Sequence, residues 1–551
     1  MSFLEDIFAS LEQAGETTVL EEIRDGRIKG VTGRGLCEQV SRARAFLAAL
    51  RLNRGERCAL YANNSVGWVA IDLAAMAEGL IVVPLYARQA AAELVAMMKD
   101  CSPALICCGD AALRDSIVAH WTEAPPQFLF DDIFRTASPP TGSAGQMRTE
   151  DLDPVTVIYT SGTSGVAKGV VLNAGNIRHM LTCVNGQLDL LMAAKGGQDR
   201  VFHYLPFVFA GSWMLLMTSL LRGSLLAINT DLSKIAQDMR ILAPDYFLNV
   251  PTLLERMRRA VDEQLWQAGG FVQGIYSRAK AAWTRRHEGR TKVLDGLWLW
   301  LANSAIFPTI RRKMIGRNLR ALICGSAPLS VDTQLFFMML GIPVLQSYGL
   351  TETTAICTLD DPRDYEPGGV GRAIPGIEMK LGESEEILVR GPSVFPGYWK
   401  RPGETAKALA DGWFHTGDQG EVDGSGKWRI VGRIKNLIVL GSGHNIAPEP
   451  IEEKLLAQLP AAAQVLLVGN GKGYLSAIVT GNATVDQVQA AIHAVNPQLP
   501  HYKQVRAFHL RREPFTIENG LLTANGKLRR DGIAQKMREE IEEMYRVKVA
   551  V

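Results

Sequence analysis

Residues 159–172 read YTSGTSGVAKGVVL. Thr160, Ser161, Gly162, Thr163, Ser164 and Gly165 alternate hydroxyls with glycines, and Lys168 follows. That composition suits a phosphate cradle. Glycines let backbone N–H groups approach phosphate oxygens, hydroxyls donate further hydrogen bonds, and lysine adds a point charge. The Walker pattern G-x-x-x-x-G-K-[ST], counted from Gly162, needs glycine at 167 and a hydroxyl at 169. The chain has Ala167 and Gly169 there, so a P-loop kinase or GTPase reading fails twice. Taken alone, the stretch is also readable as a flexible Gly/Ser turn.

Five further segments follow in order: GSAPLS (325–330), QSYGLTET (346–353), GWFHTGD (412–418), GRIKNLIVLGSGHNI (432–446) and LLTANGKLRR (521–530). Together the six resemble the core motifs of the adenylate-forming superfamily of acyl-CoA synthetases, peptide-synthetase adenylation domains and luciferases. The resemblance runs from about residue 30 to the last residue. It implies an α/β fold with a large, multi-subdomain N-terminal adenylating domain (1–433) and a small, mobile α+β C-terminal domain (436–551).

Such an enzyme drives a carboxylate onto the α-phosphate of ATP. Both partners are anions, so charge neutralisation and in-line positioning supply most of the catalysis. The resemblance implies that residues 160–168 hold the departing β- and γ-phosphates. It gives Tyr348 a flat face for adenine, Thr351 a hydroxyl for the α-phosphate and Glu352 an oxygen for Mg²⁺. Gln346, Ser347 and Gly349 belong to the same ATP-binding segment. Gly325, Ser326 and Ala327 line the adenine and acyl pocket, Asp418 accepts from the ribose hydroxyls, and Arg433 is a second ribose contact. Lys527 is the catalytic lysine, an electrostatic stabiliser that orients the substrate carboxylate without a covalent intermediate. Lys435 is the hinge. Rotation there replaces the adenylating pose by one in which Gly441, Ser442 and Gly443 help admit the thiol of CoA.

The ending, with its EN-G-LLT-x-x-x-K run and a charged helix closing in IEEMY, resembles bacterial long-chain fatty acyl-CoA synthetases. So does the basic and aromatic stretch at 265–320. The implied substrates are a fatty acid, ATP and CoA. The alternatives are loading of a separate acyl carrier protein, an aryl acid in place of the fatty acid, and a non-enzymatic lipid-binding scaffold. Residues 205–217, LPFVFAGSWMLLM, resemble the acyl-channel lining, with Phe209 and Trp213 as candidates and Trp213 as a lid. The chain departs from the pattern at Phe209, where many relatives have histidine, and at Ala167, where proline is usual. Phe209 would close the site sterically.

The elements that must position these residues alternate. CALYAN (58–63), LIVVPL (80–85), ALICC (104–108) and VTVIYT (155–160) read as buried strands. GWVAIDLAAMAEG (67–79) and AAELVAMMKD (91–100) read as helices, giving α/β layers. Residues 135–150 read as a Pro/Gly/Ser-rich surface connection. Past Arg433 a helix at 449–459 and a strand at 464–470 belong to the second domain. At 551 residues, two or more domains are expected. A formal charge of +2 gives no reason to expect nucleic-acid binding. Eight scattered cysteines without C-x-x-C spacing read as reduced cytoplasmic thiols. The acidic N-terminus does not resemble a signal peptide. Residues 69–87 and 214–228 are broken by charge, short of the roughly 20 apolar residues that span a bilayer. The cluster RAKAAWTRRHEGRTK (278–292), with 311–313 and Trp283, Trp298 and Trp300, reads either as a solvated helical face or as a peripheral contact with anionic lipid.

Overall fold

The computed structural model describes residues 2–24, 26–136, 149–160, 167–193, 196–267, 269–316, 318–523 and 526–546, without the side chains of Thr136 and Trp266. Strands and sheets are counted among these described residues. Ser161, Gly162, Thr163, Ser164 and Gly165 lie outside them, as does most of the expected connection at 135–150.

The predicted buried strands form at Arg57–Ala62, Ile81–Tyr86, Leu105–Cys108 and Pro154–Thr160. The first three pair in parallel, with Arg57 opposite Ile81 and Cys58 opposite Leu105. Their nearly continuous burial follows from helices covering both faces. One such helix, Val66–Ala77, is buried around its whole circumference, including Asp72. This sheet has seven strands and a second has nine. An antiparallel four-stranded sheet, containing Phe414–Val422 and Trp428–Arg433, completes the large lobe.

A helix at Phe3–Ala14 precedes the region where the motif resemblance begins. Ser2 and Glu5 form its capping box, and Phe3, Leu4, Ile7, Phe8 and Leu11 are buried in the largest core cluster. From Ile438 onward the chain builds separate cores. One packs helices Glu449–Ala457 and Val485–Val495 on the sheet formed by Ala462–Val468, Leu475–Gly481 and Val505–Arg511. The other gathers Phe515, Leu521, Ile533 and Met544 on the opposite face of that sheet. The helix and strand expected at 449–459 and 464–470 thus form within a residue or two.

Candidate active site

Thr160 and Lys168, which flank the Gly/Ser-rich motif, are cross-strand partners at the end of an antiparallel pair. Thr351–Thr353 is a 3₁₀ turn following the strand Val344–Tyr348. Glu352 sits in that turn, its carbonyl accepting from Phe395 N at 2.8 Å and its Oε1 from the Tyr398 hydroxyl at 2.9 Å. Burial raises its carboxyl above the ordinary range. Gly349 makes the turn possible, because a Cβ there would meet Ala355 O at 2.3 Å and Ile356 Cα at 2.4 Å.

Asp418 and Arg433 face each other across adjacent strands. Arg433 Nε lies 2.9 Å from Asp418 Oδ1, and the Tyr348 hydroxyl donates to Oδ2 across 2.8 Å. Lys435 follows in the short turn Ile434–Asn436, its ammonium pKa lowered by burial and by neighbouring Arg433.

Lys527 is tied back to Thr523: its N–H donates to Thr523 Oγ1 at 3.1 Å, and Thr523 N–H donates to Lys527 O at 2.8 Å. Its side chain keeps accessible surface where it lines a cavity between protein walls. Its pKa is lowered to about 8, by desolvation first and by Arg433 and Lys435, with Asp418 and Glu352 opposing.

One cavity of about 1630 Å³ joins these groups. Thr160, Lys168, Gly325, Ser326, Ser347, Gly349, Thr351, Glu352, Arg433, Lys435 and Lys527 all line it. Phe209 lines it too, packed against Tyr86 with ring centroids 5.8 Å apart. Apolar side chains on helices Ala174–Met192 (Val184, Leu188, Leu191) and Ala210–Leu221 (Met214, Leu215) complete the wall. The same cavity therefore offers a surplus of cations and an apolar lining, which suits a polyanion together with a hydrocarbon.

Several expected residues stand elsewhere. Trp213 is buried in the core and its Nε1 donates to Asp72 Oδ2 at 2.8 Å, so it is an internal hydrogen-bond partner rather than an acyl lid. Tyr348 is also packed in the core outside the lining. It keeps 9% of its surface accessible, and its hydroxyl positions Asp418. Asp418 itself is buried, held between Tyr348 and Arg433. Gln346 is buried too, its amide donating to Gln334 Oε1 and Gly369 O at 3.0 and 2.8 Å, so its amide group is spent on internal bonds. Ala327 is exposed outside the lining, and Gly441, Ser442 and Gly443 form an exposed turn away from it.

Sequence reasoning missed a segment that touches all of this. Tyr398, besides holding Glu352, places its ring 5.2 Å from the Lys168 ammonium. Lys168 is ion-paired with Glu404. Arg401 pairs with Asp100 Oδ1 at 2.7 Å, while Asp100 Oδ2 accepts from the Tyr159 hydroxyl at 2.7 Å. Arg529, two residues past Lys527, reaches Glu93 of the large lobe at 3.3 Å. Partners separated by tens or hundreds of residues leave no local pattern; the only sequence signal is the dense aromatic and basic run YWKR at 398–401.

Against known families, residues 8–399 match a model described as "AMP-binding enzyme", and residues 435–548 one described as "AMP-binding enzyme C-terminal domain". The chain belongs to the AMP-binding, adenylate-forming enzyme family. Long-chain-fatty-acid–CoA ligase FadD15 of Mycobacterium tuberculosis is 26% identical over 96% of this chain and 94% of that protein. A putative fatty-acid–CoA ligase of the same species, fadD11, is 30% identical over 71% of this chain and 74% of its own length. Among solved structures, the adenylation domain of a Mycobacterium chelonae carboxylate reductase superposes with a TM-score of 0.81 at 21% identity, covering 99% of this chain and 91% of that one. This last likeness establishes the fold: a large lobe followed by a small C-terminal lobe.

Proposed function

We propose that this member of the family is an AMP-forming acid–thiol ligase that converts a medium- to long-chain fatty acid, ATP and CoA to acyl-CoA, AMP and pyrophosphate. The observation that carries the reading is the single cavity in which Lys168, Glu352, Arg433, Lys435 and Lys527 share walls with the apolar faces of two helices. The fatty-acid–CoA ligases matched along nearly the whole chain support it.

In the first step a carboxylate oxygen attacks the α-phosphorus, forming the acyl–phosphate bond as the bond to the β-phosphate breaks and pyrophosphate leaves. Lys527 orients the carboxylate and neutralises charge gathering in the transition state. Lys168 receives the leaving pyrophosphate, and Thr351 donates to the α-phosphate. Asp418, aligned by Tyr348 and Arg433, is the ribose acceptor. Glu352 is the residue that would hold Mg²⁺. A single carboxylate suits an ion completing its shell with phosphate oxygens and water, and no group of three metal-ligating side chains occurs among the described residues. The ion's contribution is to neutralise phosphate charge.

In the second step the thiol sulfur attacks the acyl carbon, AMP departs with the bridging oxygen, and the thiol proton is released. Rotation about Lys435, with the turn Gly441–Ser442–Gly443 turned toward the thiol, accounts for one cavity serving both steps. Each methylene buried against the apolar wall contributes about 0.8 kcal/mol, so chain length is read by its depth.

The test is pyrophosphate release across acids of increasing chain length, with and without CoA. Release rising with chain length, and thioester formed on adding CoA, is the expected result. Release only with an aromatic acid overturns the fatty-acid assignment. Thioester formed only on a carrier protein overturns CoA as acceptor. No release with any acid leaves the scaffold reading.

No helix of the described residues is long and apolar enough to cross a membrane. We also propose peripheral association with anionic lipid through helices Gly270–His287 and Asp295–Leu301. Phe271 and Trp300 are 81% and 64% exposed there, beside exposed Arg278, Lys280, Arg286 and Lys292. Trp283 and Trp298 do not share this role: they pack against the core, Trp298 under the Arg278 guanidinium at 4.8 Å. Co-sedimentation with phosphatidylglycerol vesicles at low but not high salt is expected; none at low salt removes the proposal.

A further inference from the structure

The Lys168 ammonium, the group assigned to the leaving pyrophosphate, is ion-paired with Glu404 in the first turn of the helix Pro402–Ala408. Glu404 stands outside the cavity wall and Lys168 within it. The short segment from Tyr398 to Glu404 grips the phosphate-loop strands at both ends. Arg401 holds Asp100, which holds Tyr159 at 2.7 Å on the outgoing strand, while Glu404 holds Lys168 on the returning one. The same segment holds Glu352 through Tyr398. A negative charge is therefore fixed beside the cation that must take up a polyanion. An ammonium has three donors and can serve both partners. Glu404 and pyrophosphate nevertheless repel each other, so a firmer hold on one loosens the hold on the other.

We propose that Glu404 is a resident counter-ion for Lys168. It aligns the ammonium in the free enzyme and competes with pyrophosphate for it, so that product leaves faster than four convergent cations alone would allow. It is a positioning residue that touches no substrate. The proposal rests on Lys168 being the polyphosphate ligand.

The experiment uses the full chain with inorganic pyrophosphate as product inhibitor against ATP. Glu404→Gln, which removes the charge and keeps the shape, is expected to lower the pyrophosphate inhibition constant about two- to fivefold, the range of a partly exposed ion pair. KM for the fatty acid should stay the same, and the effect should shrink as ionic strength rises. Glu404→Ala should shift inhibition in the same direction, and thermal melts identify any variant that fails to fold. In a Lys168→Met background, Glu404→Gln should change nothing further, because the two act as a unit. An unchanged or raised inhibition constant in folded Glu404→Gln overturns the proposal, as does the same decrease persisting without Lys168. If Lys168→Met alone leaves pyrophosphate inhibition intact, the assignment of Lys168 fails instead, which is a separate result.

Discussion

The hydroxyl of Tyr348 donates to Asp418 Oδ2 across 2.8 Å, and this bond is buried. The motif tyrosine thus acts through the motif aspartate. Tyr348→Phe should cost about 1.5–3 kcal/mol of stability, the worth of a hydrogen bond to a charged group, read by urea titration. It should also raise KM for ATP with little change in KM for the fatty acid. If both readouts are unmoved, Asp418 is held by Arg433 alone.

Lys527 supplies a pH signature. In the proposed mechanism its ammonium is the working form, and its pKa is lowered to about 8. The group is mostly charged below that pH and loses its charge above it. kcat/KM for pyrophosphate release, which reports the free enzyme, should therefore fall as pH rises through about 8. Lys527→Arg, charged throughout, should lose this limb whatever its absolute rate. Lys527→Ala should abolish adenylate formation while thioester formation from supplied acyl-adenylate largely survives. Equal loss of both steps contradicts the two-pose mechanism.

Glu93 and Arg529 tie the lobes together in the arrangement that brings Lys527 into the cavity. Both are partly exposed, so the pair is worth about 0.2–1 kcal/mol. Glu93→Gln should slow adenylate formation up to about fivefold and leave the thioester step unaffected. Stopped-flow measurement of each half-reaction separates the two; slowing of the thioester step alone would show that the contact does not favour the adenylating pose.

Asp72 is buried and its carboxyl is pushed up to about 7, with the Trp213 indole opposing the shift. Between the ordinary aspartate pKa and about 7 the native state holds more protons than the unfolded state, so this residue makes stability fall as pH rises. Asp72→Asn keeps an acceptor for Trp213 and removes that dependence. It should stabilise the protein at pH 8 by an amount on the order of 4 kcal/mol relative to its effect at pH 4, given a carboxyl pushed up from 3.8 to about 7. Parallel stability–pH curves for the two proteins would refute the assignment.

The buried strands from Arg57 to Thr160 were legible because parallel strands covered on both faces need unbroken apolar runs, and CALYAN, LIVVPL and ALICC supply them. Residues that come to line the cavity were legible wherever a motif is short and self-contained, as for Lys168, Glu352 and Lys527. Trp213 was misread because an apolar stretch looks alike whether it faces a channel or a core; only the buried Asp72, 141 residues earlier, decides between them. Spacing says which residues adjoin a site but not which way they point, as for Gln346, whose amide donates to Gln334 and Gly369. Glu404, Arg401 and Asp100 escaped notice because their partners are brought near only by the fold.

The cavity draws its charges from turns and strand ends, and much of its hydrocarbon wall from two helices, Ala174–Met192 and Ala210–Leu221. That division makes the scaffold evolvable in a modular way. Bulk can be added or trimmed at Val184, Leu188, Leu191 or Met214 to retune which acid is accepted, while the apparatus that activates it is inherited intact.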